Sequence, residues 1–329
     1  MKKTFYTLMA VIALCGCSKE STKVILPIKS TKLAQSVSFS VSDFGLTTGN
    51  LRSNSVTRTD GLKDQIKYLQ FAVDEWQDSG YGLNTDLYRY QEHLNSENNF
   101  GMLRDSLQDG RYYICFVGGD VLGKIQVETI PNTGSELART TYYLDYKLLT
   151  PNIYRAAIDT TVSGKPIDKP IVMKRMVGQV TIHLNDAIPN NAAKLMLTYS
   201  DYPPTLDLIN GLGLDRGRQD EFYPDAVFEF PVTSAHIGKT GMEITSFVFP
   251  YRYPQITLSC LDPEGKVIAT KVLPKNEYDF YTTVAANTQY KFSGNLFGQS
   301  ASFNVSVDTK WNTPVNTTFS IPSKTQHIN

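Results

Sequence analysis

The sequence predicts an all-β protein of antiparallel β-sandwich type, on three observations. Short stretches alternate apolar and polar residues with a period of two, the mark of a strand with one buried face. Gly, Pro and Asn punctuate these stretches at short intervals, as turns between strands require. The chain also carries 19 Tyr and 16 Phe, bulky enough to fill a sandwich core, and no helical periodicity rivals the strand pattern.

The chain opens on a leader. Lys2 and Lys3 form a positive end, and Phe5 to Leu14 form an apolar run. That run has the length of a signal-peptide core and is too short for a bilayer span, which needs about 20 residues. Leu14-Cys15-Gly16-Cys17 resembles the bacterial lipobox. By that resemblance the chain is cut between Gly16 and Cys17, so residues 1–16 leave as signal peptide and Cys17 is diacylated on sulfur. A plain secretory leader with a fortuitous cysteine is the competing reading. Residues 17–35, rich in Ser, Thr and Lys around an apolar patch from Val24 to Ile28, read as a lipidated tether.

Strand signals follow in order. In "SVSFSVS" Val37, Phe39 and Val41 share one face and serines fill the other; in "YLQFAVDEW" Leu69, Phe71 and Val73 do the same. Tyr142, Leu144, Tyr146 and Leu148 alternate in a segment that also suits a short helix. Met176, Gly178, Val180, Ile182 and Leu184 form one face of "RMVGQVTIHL", opposite Gln179, Thr181 and His183; Leu195, Leu197 and Tyr199 come next. "QITLSCLDPEGKVIATKVL" is two apolar runs around the turn Asp262-Pro263-Glu264-Gly265. Ala301, Phe303, Val305 and Val307 close the series. Two Lys-Pro steps interrupt the pattern between Val162 and Val172, which suits a crossing between domains.

Composition narrows the function. Lys+Arg and Asp+Glu balance at 32 each, so no net field draws nucleic acid or a charged substrate. With Cys15 gone and Cys17 acylated, Cys115 and Cys260 remain, each in an apolar run, and both are expected to be buried free thiols. Histidines 93, 183, 236 and 327 are scattered, without the spacing of a zinc site. Gly211 to Gly217 spells GxGxxxG rather than a phosphate-binding GxGxxG and reads as a flexible loop. No GxSxG and no distinctive carboxylate pair occurs, so the expectation is a protein that is not an enzyme, with no catalytic residues, cofactor or metal.

"LQDGRYYICFVGG", "KRMVGQVTIHLNDAIPNN" and "NTQYKFSGNLFG…FNVSVDTKWN", with "QIKYLQFAVDEWQDSG" before them, resemble in order and spacing the strands of the fimbrillin family. These are the lipoprotein subunits of type V pili in Gram-negative bacteria. The resemblance implies two tandem transthyretin-like sandwich domains, residues 36–167 and 168–329. It implies an anchor or accessory subunit of a fimbrium, with other fimbrial subunits and the outer membrane as partners, the latter through the lipid, at the cell surface. Assembly would add a strand to a sheet edge. Stalk subunits of the family are cut after an arginine in the first domain; Arg52 and Arg58 stand in a polar loop where such a cut would fall, and solvated loop arginines without that role are the equal alternative. A different class, a surface lipoprotein that binds glycans, would use Tyr81, Tyr88, Tyr90, Tyr251 or Tyr253 for stacking.

Overall fold

The computed structural model describes residues 34–43, 60–76, 89–132, 135–214, 223–251, 255–274, 284–298 and 302–309, all within one compact unit. The first strands are β1 (Ala34–Asp43), β2 (Tyr68–Glu75), β3 (Arg89–Leu94), β4 (Met102–Gln108), β5 (Gly110–Gly119), β6 (Lys124–Asn132) and β7 (Ser135–Tyr143). They continue as β8 (Ile153–Val162), β9 (Ile167–Val172), β10 (Lys174–Arg175), β11 (Gly178–Leu184), β12 (Lys194–Tyr199) and β13 (Thr205–Asp207). The last are β14 (Ala226–Pro231), β15 (Met242–Val248), β16 (Ile256–Leu261), β17 (Val267–Val272), β18 (Gln289–Gly294) and β19 (Phe303–Asp308). One short helix, α1 (Asp60–Gln65), precedes β2. The all-β expectation holds, and two pairings, β1 with β9 and β11 with β18, are parallel.

The first core lies between a three-stranded sheet, β4-β1-β9, and a five-stranded sheet, β10-β8-β5-β2-β3. Val37, Phe39 and Val41 of β1 face Leu69, Phe71 and Val73 of β2, with Ile114 and Phe116 of β5 beside them. Phe39, Phe71 and Phe116 form a ring cluster with centroids 5.5 to 5.9 Å apart. Leu62 of α1 and Ile66 after it close the core at one end.

Alternation in β2 predicts one wet face, yet both faces are dry. Gln70 is 2 % and Asp74 0 % exposed. The hairpin β6–β7 covers that side, and its hydrogen bonds make burial tolerable: Gln70 Nε2 donates to Gly123 O (2.9 Å), and Thr140 Oγ1 donates to Asp74 Oδ2 (2.9 Å). Gly123 leaves room for the Tyr142 ring, which a Cβ there would strike. The segment after β7 also departs from the alternation: the strand ends at Tyr143 and Tyr146–Leu148 is a 3₁₀ turn capped by Asp145.

The second core lies between β15-β11-β18-β19 and β14-β12-β16-β17. Val180, Ile182 and Leu184 face inward from β11, and Leu195, Leu197 and Tyr199 from β12, as their spacing predicts. The turn 262–265 forms as read, with Gly265 at φ +83 and its N–H on Asp262 O (3.1 Å). This core continues into Ile125, Tyr142, Leu144, Ile153 and the far face of β5. The third sheet, β13-β7-β6, makes the link, because β13 pairs with β7 from Thr205↔Tyr143 to Asp207↔Thr141.

The Lys-Pro stretch is more regular than its prolines suggest. It forms β9, and Pro170 sits within it opposite Ser40. β9 is an edge strand, where a missing N–H interrupts no second ladder.

Candidate assembly site

β1 is the centre of its sheet. On one side it runs antiparallel to β4, from Ala34↔Gln108 to Ser40↔Met102; on the other it runs parallel to β9, from Val37↔Ile167. Its three apolar side chains are 0 to 2 % exposed. Burial of one Val, one Phe and another Val contributes roughly 5–9 kcal/mol before strand entropy is set against it. Were β1 withdrawn, β4 and β9 would border a slot with unpaired backbone on both walls and an apolar floor of Leu69, Phe71 and Phe116. Such a slot is stable only when another strand fills it.

The second core ends in different edges. On β17, Val267 and Val272 are 52 % and 48 % exposed, and on β19 Val307 is 40 % exposed. Among the described residues each of these strands is hydrogen-bonded on one side only.

Gly16, Cys17, Arg52 and Arg58 lie outside the described residues, as do Tyr81, Tyr88, Tyr253 and His327. Of the tyrosines considered for stacking, Tyr90 is 44 % exposed on β3 and its hydroxyl is engaged by Gln70 Nε2 (2.7 Å). Tyr251 is 4 % exposed and packs edge-on against Tyr202 (5.2 Å), which makes it a core residue rather than a sugar platform. His93 pairs with Glu97 (2.8 Å), His183 with Glu243 (3.2 Å), and His236 accepts from Thr233 N (3.1 Å); the structure brings no two of them together. Among the described residues no group of three or more His, Cys, Asp or Glu could hold a metal.

Cys115 and Cys260 are free and buried, as expected. Burial pushes the Cys115 thiol up to about 12 and the Cys260 thiol to about 11, the opposite of nucleophile activation. The glycine stretch, where described, is held rather than flexible. Gly211 N donates to Asp207 O (2.8 Å) and Leu214 N to Thr205 O (2.9 Å).

Sequence reading missed a polar cluster around that loop. Asp207 Oδ1 accepts from Ile209 N (2.8 Å) and its Oδ2 from Asn210 Nδ2 (3.0 Å), with Arg139 Nε 3.5 Å from Oδ2. Arg155 Nη1 donates to Leu208 O (2.7 Å), and Leu208 N to Thr140 O (2.9 Å). Gly211, at φ +77, lies where any Cβ would run into the Arg155 guanidinium. Asp-x-x-Asn-Gly is a turn signal in the sequence; its arginine partners, far away in the chain, leave none.

No protein-family profile matches the chain, and no curated protein does. Solved structures similar to it include the tip fimbrial protein Mfa3 of Porphyromonas gingivalis, in a C-terminally truncated form. That structure is 10 % identical and covers 84 % of this chain and 98 % of its own, with a TM-score of 0.42. The fimbrial anchor protein Mfa2 of the same organism is 11 % identical over 84 % of this chain and 98 % of its own, with a TM-score of 0.48. A candidate adhesin of Bacteroides ovatus is 12 % identical over 79 % of this chain and 88 % of its own, with a TM-score of 0.45.

Proposed function

We propose that this chain is a lipid-anchored structural or adhesive subunit of a bacterial fimbria, in an anchor or accessory position, which assembles by strand addition and is not an enzyme. The position of β1 carries the reading. It is buried between two strands, it is the first of the described strands, and the segment with Arg52 and Arg58 follows it in the sequence. A cut in that segment would leave β1 held by non-covalent bonds alone and therefore exchangeable. An uncut chain keeps its own β1 and offers the edges of β17 and β19 instead. The C-terminal sequence has a matching pattern: "TTFSI" at 317–321 repeats the spacing of "VSFSV" at 37–41, with Phe319 in the place of Phe39. Alternate side chains at such positions select the acceptor, and the backbone supplies hydrogen bonds.

The division into two domains, the lipid on Cys17 and residence at the outer membrane are parts of this proposal; the expected boundary at 167/168 falls inside β9, which pairs with β1, so the crossing follows β10 instead. So are the signal peptide 1–16 and the tether from Cys17, whose expected end at 35 falls inside β1, since Ala34 and Gln35 pair with Gln108 and Leu107. Acyl chains bury about 0.8 kcal/mol per CH₂, enough for two or three together to hold a protein on a bilayer. Truncation after Pro314 is expected to abolish incorporation into, or attachment of, a fibre while the first core stays folded. Cys17→Ser is expected to move the protein from the membrane fraction to the soluble one. Normal co-purification of the truncated chain with pilus polymer removes the C-terminal strand from the account. Membrane retention of the serine variant in high salt removes the anchor.

A further inference from the structure

We propose that the end of the body at which the chain arrives, bearing Trp76, Tyr113 and Arg111, rests on the bilayer that holds the protein's own acyl chains. The inference builds on the anchor reading above. Ala34 pairs with Gln108, so β1 begins beside the turn between β4 and β5. Gly164 N donates to Asp109 Oδ1 (2.9 Å), which draws the β8–β9 turn to the same end. The second core is attached at the other end of these strands, where Gly119 pairs with Ile153 and Arg175 Nε donates to Pro151 O (2.7 Å).

Tyr146 and Tyr202, with ring centroids 5.8 Å apart, belong to that junction. Tyr199, 6.5 Å from Tyr202, ends β12 there. Lys194, at the start of β12, pairs with Leu261, so the turn 262–265 lies at the far tip of the second core. The order from the arriving chain outward is therefore first core, junction, second core.

Residues 18–33 join Cys17 to β1. Sixteen residues reach at most about 55 Å even when fully extended, so the arriving end is the part of the body tied nearest the lipid, at raised effective concentration. That end carries a patch suited to a headgroup layer. Trp76 N donates to Arg111 O (3.0 Å), and the Trp76 and Tyr113 rings, both partly exposed, have centroids 5.5 Å apart. The Arg111 guanidinium lies 4.7 Å from the Trp76 ring centre and forks onto Asp159 at 3.0 and 2.5 Å. Asp159 offsets the charge of Arg111, and Trp76 Nε1 is itself buried, so the attraction is that of apolar ring surface for the interface rather than of a basic patch for anionic lipid. The contact should therefore be insensitive to salt.

The test uses the acylated full chain with Trp311→Phe, which leaves Trp76 as the indole of a sequence with Trp 2. It is bound to phosphatidylethanolamine and phosphatidylglycerol vesicles with or without brominated phosphatidylcholine. Trp76 emission should be quenched and blue-shifted, equally at low and high salt. A fluorophore on Lys165→Cys, in the β8–β9 turn, should be quenched too, and one on Glu264→Cys, at the far tip, should not. If the protein floats with the vesicles while Trp76 and the Lys165 probe are quenched no more than the Glu264 probe, the docking surface is overturned and the anchor stands. If the protein does not float, the anchor reading fails and the docking surface falls with it.

Discussion

Cys115 and Cys260 illustrate how burial decides chemistry at the scale of one residue. Each lies at 0 % exposure, and the raised thiols, up to about 12 and about 11, are held neutral by loss of hydration. An unfolded cysteine titrates near about 8.5, so the folded state gains from the neutral thiols below that pH. The gain is lost as pH rises from about 8.5 towards the folded values. A body lacking the leader and Cys17 should not react with a thiol reagent at pH 8 while native, and should give two equivalents once denatured without reductant. Zero equivalents after denaturation would reveal a disulfide and contradict the structure.

At the scale of one element, β1 joins stability to assembly. Its alternate serines, Ser38 and Ser40, are small and half-buried, whereas Phe39 meets Phe71 at 5.9 Å and Phe116 at 5.5 Å. Phe39→Ala should therefore destabilise the body by about 3–5 kcal/mol, since it removes a fully buried ring from the middle of the first core. Ser38→Ala should change stability by about 0.5 kcal/mol at most. Urea unfolding of the two variants measures both. If β1 is the exchangeable strand, Phe39→Ala should also speed its replacement by a synthetic peptide of residues 315–323, followed by mass.

Across the whole molecule the two cores are joined by strand pairing, hydrogen bonds and ring contacts. β13 adds to β7, Leu208 bonds both Thr140 and Arg155, and Tyr146 packs edge-on against Tyr202 and Phe228 at 5.8 and 5.1 Å. Burial lowers the Arg155 guanidinium from its usual range, and its hydrogen bond to Leu208 O offsets part of that lost hydration. Asp207→Ala frees the loop 207–211 and leaves Arg139 without its carboxylate. This change should uncouple the cores, so that a single calorimetric transition becomes two. A single transition at reduced temperature would mean that the remaining contacts, Arg175 with Pro151 and Asn287 among them, suffice to couple them.

The sequence by itself determined the strands whose pattern is local: β1, β11, β12 and the β16–β17 hairpin follow from alternation and from the Asp-Pro-Glu-Gly turn, because a period of two aims one set of side chains at a core. It also determined the thiol state, since each cysteine lies in an apolar run. Only the tertiary structure decided which strand sits beside which. Gln70 and Asp74 look like a wet face until β6–β7 covers them, the Lys-Pro stretch looks like a seam until β9 pairs with β1, and Tyr251 looks like a loop residue until Tyr202 encloses it. The position of β1 between β4 and β9, on which the proposed site depends, comes from hydrogen bonds between segments more than sixty residues apart. Alternation records which face of a strand is apolar; it carries no record of the neighbour across the ladder.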